Sequence, residues 1–273
     1  MAAIKAAKQA SAAGKAPAGK RAAGKKAAGT QPRGARRAGV PGMNAKKCGR
    51  RASGQPRESA AEKTARAGRI VAALRKRYPR ATTALHYGAP HELLISTVLA
   101  AQCTDKKVNE ITETLFKKYR SPEDFARAKR PTLEKEIRQS GFFRAKAKAI
   151  VELSRDIVQR FGGKVPGTLE ELTSLRGVGR KTANVVLSAV FGKPGVIVDT
   201  HMMRVAARLG LTGQTDPTKI EFELMEVLPR KDWGDFSFMV VLHGRETCKA
   251  RRPLCGICPI ERMCPSSTLR CGA

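Results

Sequence analysis

Leu175-Arg176-Gly177-Val178-Gly179-Arg180-Lys181-Thr182-Ala183-Asn184-Val185-Val186-Leu187 lies at the centre of residues 172–199. An apolar segment stops at Gly-Val-Gly and a second begins at once, so the stretch reads as two helices joined by a hairpin with both glycines at the bend. With no side-chain bulk at Gly177 and Gly179, the backbone amides can face outward, and those that open the second helix lack an intrahelical partner. A phosphate can approach them closely, and the helix dipole favours it. Lys181 falls on the first turn of that helix, and 18 residues later Asp199 stands within Val198-Asp199-Thr200-His201. An amine and a carboxylate beside a phosphate-holding turn point to chemistry on a nucleic acid.

Charge agrees with that partner. The 273 residues carry a formal net charge of +30. Residues 1–57 hold 15 Lys or Arg and no acid, and the remainder is basic as well. Such a balance selects a polyanion. A membrane surface is the rival, but no stretch approaches the roughly 20 apolar residues of a spanning helix and no segment is patterned for a lipid interface.

Residues 1–57 form a low-complexity run of Ala, Gly, Lys and Arg that cannot build a core and is expected to be disordered. It is open to three readings: a solvated tail, a basic arm adding salt-sensitive DNA affinity, or a transit peptide poor in Ser. Order is expected from Ser59, an N-cap for a helix that carries Ile70, Val71 and Leu74 and stops before Pro79. A buried helix over 92–102 follows, then an amphipathic one marked by Val108, Ile111, Leu115, Phe116 and Tyr119. Ser121-Pro122 opens the next helix, and a short one over 133–137 leads to the loop Ser140-Gly141-Phe142-Phe143. Ile150, Val151, Ile157, Val158 and Phe161 mark a longer helix closed by Gly162-Gly163. Beyond the hairpin come helices over 200–209, after the Asp216 cap, and over 236–243. Sustained alternation is missing, so the fold class is all-α with about ten helices.

Of the seven cysteines, four stand as Cys248-x6-Cys255-x2-Cys258-x5-Cys264 among basic residues. Four thiolates in one short segment can enclose either a tetrahedral zinc or a cubane iron-sulfur cluster, and spacing leaves the choice open. Either would fold the C-terminal region and present the loop bearing Lys249, Arg251 and Arg252 to phosphates. Cys48 and Cys103 stand alone, and Cys271 is a spare thiol that competes with Cys264 as the fourth ligand.

The hairpin with its lysine, the Val-Asp-Thr-His segment and the cysteine spacing together resemble endonuclease III, the bifunctional DNA glycosylase family of base excision repair. The similarity runs over about 60–265 and takes in Ala101-Gln102-Cys103-Thr104-Asp105 and His243-Gly244-Arg245. It implies a [4Fe-4S] cluster at Cys248, Cys255, Cys258 and Cys264, and a helix-hairpin-helix glycosylase fold of two helical domains with a DNA cleft between them. One domain is expected over 84–187; the other joins 58–83 to 188–273. The implied partner is double-stranded DNA containing damaged bases or abasic sites, bound by a monomer without a membrane, in a bacterial cytoplasm at the nucleoid. The implied targets are oxidised pyrimidines.

The chemistry fits the residue types. As a base leaves its sugar the anomeric carbon gains positive charge, which a carboxylate such as Asp199 stabilises. A neutral Lys181 amine can attack that carbon, and the imine so formed makes the 2′ proton acidic enough to eliminate the 3′ phosphate. The extruded base leaves a hole. By resemblance Gln102 and the 140–143 loop fill it, with Phe142 as wedge; alternatively Phe142 or Phe143 anchors the loop to the core. Gly177, Gly179 and Arg180 are expected on phosphates, and His201 and Arg204 in structural roles. Arg176 stands where the family commonly has proline. Two rivals remain: an adenine-mismatch glycosylase, which typically lacks the lysine, and a non-enzymatic or redox-sensing hairpin protein.

Overall fold

The computed structural model describes residues 58–269, which fall in one compact unit. The expectations for residues 1–57, Cys48 and Cys271 lie outside the described residues. Eleven α-helices and several 3-10 turns make up the described chain, with no strand among the described residues.

Local chemistry sets most helix ends. Helix α1, Ala60–Arg77, opens on a capping box in which the Ser59 hydroxyl accepts from the Glu62 amide and the Glu62 carboxylate accepts from the Ser59 amide. Helix α2, Pro90–Leu99, starts earlier than the expected 92, because Pro90 fits the first turn and Glu92 accepts from the Gly88 and Ala89 amides. It also stops short of 102, since a tight turn follows in which Gln102 has φ 55°. Helices α3, Asp105–Lys118, α4, Pro122–Arg127, and α5, Arg130–Glu136, come next; α5 lies a turn earlier than its expected position because Pro131 again suits a first turn. Helix α6, Phe143–Phe161, ends at Gly162 in the left-handed region. The hairpin joins α7, Leu169–Thr173, to α8, Arg180–Phe191. Helices α9, Thr200–Arg208, α10, Pro217–Val227, and α11, Trp233–Glu246, complete the set.

Buried side chains form two clusters. One takes its members from 85–187, among them Leu94, Phe125, Ile150 and Leu187. The other combines Ile70 and Leu74 of α1 with residues from 196–260, including Met202, Leu224 and Phe236. Helix α8 contributes to the first cluster while packing against α11 of the second. Lys181, near the start of α8, therefore stands where the two meet.

Residues 196–198 cross between the clusters without a sheet partner. Side chains meet their backbone groups instead: the Ile197 amide donates to Ser237 Oγ at 2.9 Å, and Asn184 Nδ2 donates to the Val196 carbonyl at 2.8 Å. Their burial thus leaves those polar groups satisfied, and fixes the chain that delivers Asp199.

Candidate active site

Leu172, Leu175 and Val178 turn inward at the hairpin, which leaves Arg176, Gly177 and Gly179 exposed. Gly177 has φ 78°, and a Cβ there would lie 3.1 Å from Ala149 Cβ, so both conformation and space select glycine. Gly179 is the N-cap of α8, with no side-chain cap and no acid in the first turn. The helix's amino end is left for an external anion. Arg176 Nε pairs with Glu152 Oε2 at 3.2 Å, tying the hairpin to α6. That surface pair accounts for an arginine where proline was the expected residue, at a contribution of about 0–1 kcal/mol.

Arg180 does something the sequence did not reveal. Its guanidinium makes a bidentate pair with Glu221 of α10, Nη2 to Oε1 at 2.7 Å and Nε to Oε2 at 3.0 Å. Glu221 is only 4% exposed and also accepts from Asn184 Nδ2 at 3.0 Å. The side chain expected on phosphates is thus turned toward a buried carboxylate, and it fixes the first turn of α8 against the second core. Arg180→Ala leaves that carboxylate with Asn184 as its remaining side-chain donor, so a loss of about 1.5–3 kcal/mol in urea unfolding is expected. A change below about 1 kcal/mol, the ordinary cost of a surface substitution, would show that the pair does not matter.

Lys181, Asp199 and Gln102 line one cleft of about 310 Å³. Its apolar walls include Leu85, Val185, Ile197, Phe238 and Leu242. Lys181 is exposed and comes from α8; Asp199 comes from the connection before α9. Asp199 Oδ1 accepts from the Met202 amide at 2.7 Å, capping α9, so the cap holds the carboxylate in a single orientation. Behind it Arg204 Nη2 reaches His201 Nδ1 at 3.1 Å and the Gly244 carbonyl at 2.9 Å. Burial lowers the His201 pKa, favouring the neutral ring. A Cβ on Gly244 would come within 2.9 Å of His201 Nδ1, so this glycine permits the close packing of α9 on α11. Arg245 Nη2 closes one edge of the cleft on Asp105 Oδ2 at 2.7 Å.

Phe142 does not line this cleft. It is 67% exposed, with φ 47° at the N-cap of α6. Phe143 packs against the first core instead. The two phenylalanines divide the roles that the sequence left as alternatives: Phe143 anchors, and Phe142 projects.

Cys248, Cys255, Cys258 and Cys264 line a common cavity with Val205, Leu209 and Ile260. Arg208 Nη1 donates to Cys248 Sγ at 3.3 Å, while its other contacts at 2.7–2.8 Å hold the Lys249 and Ala250 carbonyls. Burial and neighbouring sulfurs push the Cys258 thiol up to about 11. Four sulfurs around one cavity, with a guanidinium donating to one of them, fit a cationic four-sulfur centre, which would hold the thiolate forms. Lys249, Arg251 and Arg252 are exposed beside it.

The pattern of the HhH-GPD superfamily of base excision DNA repair proteins matches residues 95–230, and that of the iron-sulfur binding domain of endonuclease III matches 248–264. Endonuclease III of Synechocystis sp. is 49% identical over 208 residues, covering 76% of this chain and 95% of its own. The chain belongs to the endonuclease III family. The Bacillus subtilis endonuclease III is 43% identical over 188 residues, covering 68% of this chain and 86% of that protein. A solved structure of a trapped endonuclease III–DNA covalent intermediate superposes with a TM-score of 0.72 at 39% identity, covering 76% of this chain and 98% of the other. This member of the endonuclease III family is a base excision repair DNA glycosylase/AP lyase of the helix-hairpin-helix fold. Its partner is DNA, and its cofactor is a [4Fe-4S] cluster. No helix among the described residues is long and apolar enough to cross a membrane.

Proposed function

We propose that this protein excises oxidised pyrimidines from duplex DNA and cuts the strand at the resulting abasic site, with Lys181 as nucleophile and Asp199 as its acidic partner. One observation carries the reading: an exposed lysine and a fixed carboxylate, delivered by different elements, share a cleft with Gln102. Asp199 stabilises positive charge on the sugar as the glycosidic bond breaks and the base leaves with the bonding electrons. The Lys181 nitrogen bonds to the anomeric carbon and loses a proton, and ring opening gives the imine. Removal of the 2′ proton then expels the 3′ phosphate, and water hydrolyses the imine to restore the amine. Gln102 and Phe142 fill the hole left by the extruded base.

The amides around Gly177 and Gly179 hold one stretch of backbone, and Lys249, Arg251 and Arg252 hold another; Arg180 serves through the position it gives α8. When bound, the cluster supplies a four-sulfur cross-link with no open coordination position. The two hydrophobic clusters support domains of 84–187 and 58–83 plus 188–273. We read the protein as a monomer at the nucleoid of a bacterial cytoplasm; the bacterial relatives and the +30 charge support this.

Purified protein incubated with duplexes carrying single lesions tests the substrate class. Base release with strand scission at oxidised pyrimidines is expected; activity confined to mismatched adenine would overturn the assignment. Residues 1–57 are read as a DNA-binding arm, so a chain beginning at Arg57 should bind with a shallower dependence of log K on log salt. Equal slopes would leave the arm without that role.

A further inference from the structure

Gln102 and Phe142, with φ of 55° and 47°, are the two non-glycine residues with positive φ among those described. Side chains rarely adopt this backbone conformation unless their surroundings enforce it. The two residues are far apart in sequence, yet each follows closely on a carbonyl held by the same side chain. Lys146 Nζ donates to the Leu99 carbonyl at 2.8 Å and to the Ser140 carbonyl at 2.7 Å. Leu99 ends α2, three residues before Gln102, and Ser140 ends the 3-10 turn two residues before Phe142.

Lys146 is 4% exposed, and no carboxylate forms an ion pair with it among the described residues. It lies on the face of α6 that buries Ile150 and Leu153, where packing alone would be served by leucine or methionine. Burial lowers its pKa, while Cys103, in the turn after α2, acts in the opposite direction. A buried lysine bound to two carbonyls is a costly way to fill a core, but an effective way to join two turns.

We propose that Lys146 is a positioning residue for base extrusion, its Nζ tying the Leu99 and Ser140 carbonyls so that Gln102 and Phe142 enter the duplex as one two-pronged wedge. This rests on reading Gln102 and Phe142 as the residues that fill the hole. Two prongs linked this way keep a fixed separation, so insertion of either presents the other in register. If the link is lost, each turn relaxes independently and the extruded state loses its support. Misplacement on the ångström scale can cost on the order of a hundredfold in rate.

The test is a double-mutant cycle on the full chain with its cluster bound, read by single-turnover excision and by fluorescence of 2-aminopurine placed beside the lesion. Lys146→Met is expected to lower both excision and the extrusion signal, excision by on the order of a hundredfold. Its loss at a preformed abasic site, where no base has to be held out, should be at least tenfold smaller. In a Gln102→Ala/Phe142→Ala background the same substitution should add little further loss, because the prongs it positions are gone. Undiminished extrusion in Lys146→Met, or losses that multiply independently in the cycle, would overturn the clamp. If Gln102→Ala and Phe142→Ala themselves leave extrusion unchanged, the hole-filling reading fails, an outcome distinct from failure of the clamp alone. Thermal unfolding and the cluster's visible absorbance report folding. Should Lys146→Met not fold, Lys146→Arg, which keeps a donor but moves its tip, must show the same selective loss and the same dependence on the prongs.

Discussion

Asp199→Asn is expected to bind lesion duplex within a fewfold of the parent and to lose base excision by on the order of a thousandfold. The substitution separates the two jobs of this side chain. Asp199 Oδ1 caps α9 through the Met202 amide at 2.7 Å, and asparagine caps nearly as well. Unfolding stability should therefore change by less than about 0.5 kcal/mol. What asparagine cannot supply is the negative charge next to a sugar carbon turning positive. Since that charge develops in the transition state, the loss should fall on the excision rate with binding nearly untouched. Excision within tenfold of the parent would remove Asp199 from the chemistry and leave it as a cap alone.

Lys181→Ala is expected to abolish strand cleavage, at a cost of at least on the order of a thousandfold, while the protein remains folded and bound to DNA. The structure makes this a clean substitution. Lys181 is exposed, and none of the hydrogen bonds or ion pairs described above uses its amine. Its neighbour Arg180 and the buried Glu221 carry the attachment of this helix turn. Adjacent basic residues thus have opposite expected profiles: Arg180→Ala destabilises the fold, and Lys181→Ala removes the lyase step. Cleavage by Lys181→Ala at a rate near the parent's would mean that another amine performs the reaction.

Much of this was readable in the chain because the signals were local. Ser59, Ser121-Pro122, Gly162 and Asp216 mark helix ends by chemistry confined to a few residues, and they end helices in the structure. The Gly-Val-Gly hairpin could be read for the same reason. Prolines were harder: Pro90 and Pro131 look like breaks, yet as first-turn residues they begin α2 and α5. The pairing of Arg180 with Glu221 spans 41 positions, and no spacing rule predicts it. Lys146 did leave a trace. It sits at i−4 from Ile150 and i−7 from Leu153, on the apolar face of α6, and a charged residue on such a face marks either a buried network or a break in the pattern. The Asp105–Arg245 pair at the cleft edge likewise needed three-dimensional placement, although both residues stood within motifs that carried the resemblance.

In this mechanism the Lys181 amine cuts the strand through a covalent bond to the sugar. Borohydride reduction of the protein mixed with an abasic-site duplex, followed by digestion and mapping of the DNA-bearing peptide, tests it most directly. A trapped adduct is expected on the peptide containing Lys181, and none from Lys181→Ala. An adduct mapped to a different amine, or an undiminished yield from Lys181→Ala, would contradict it.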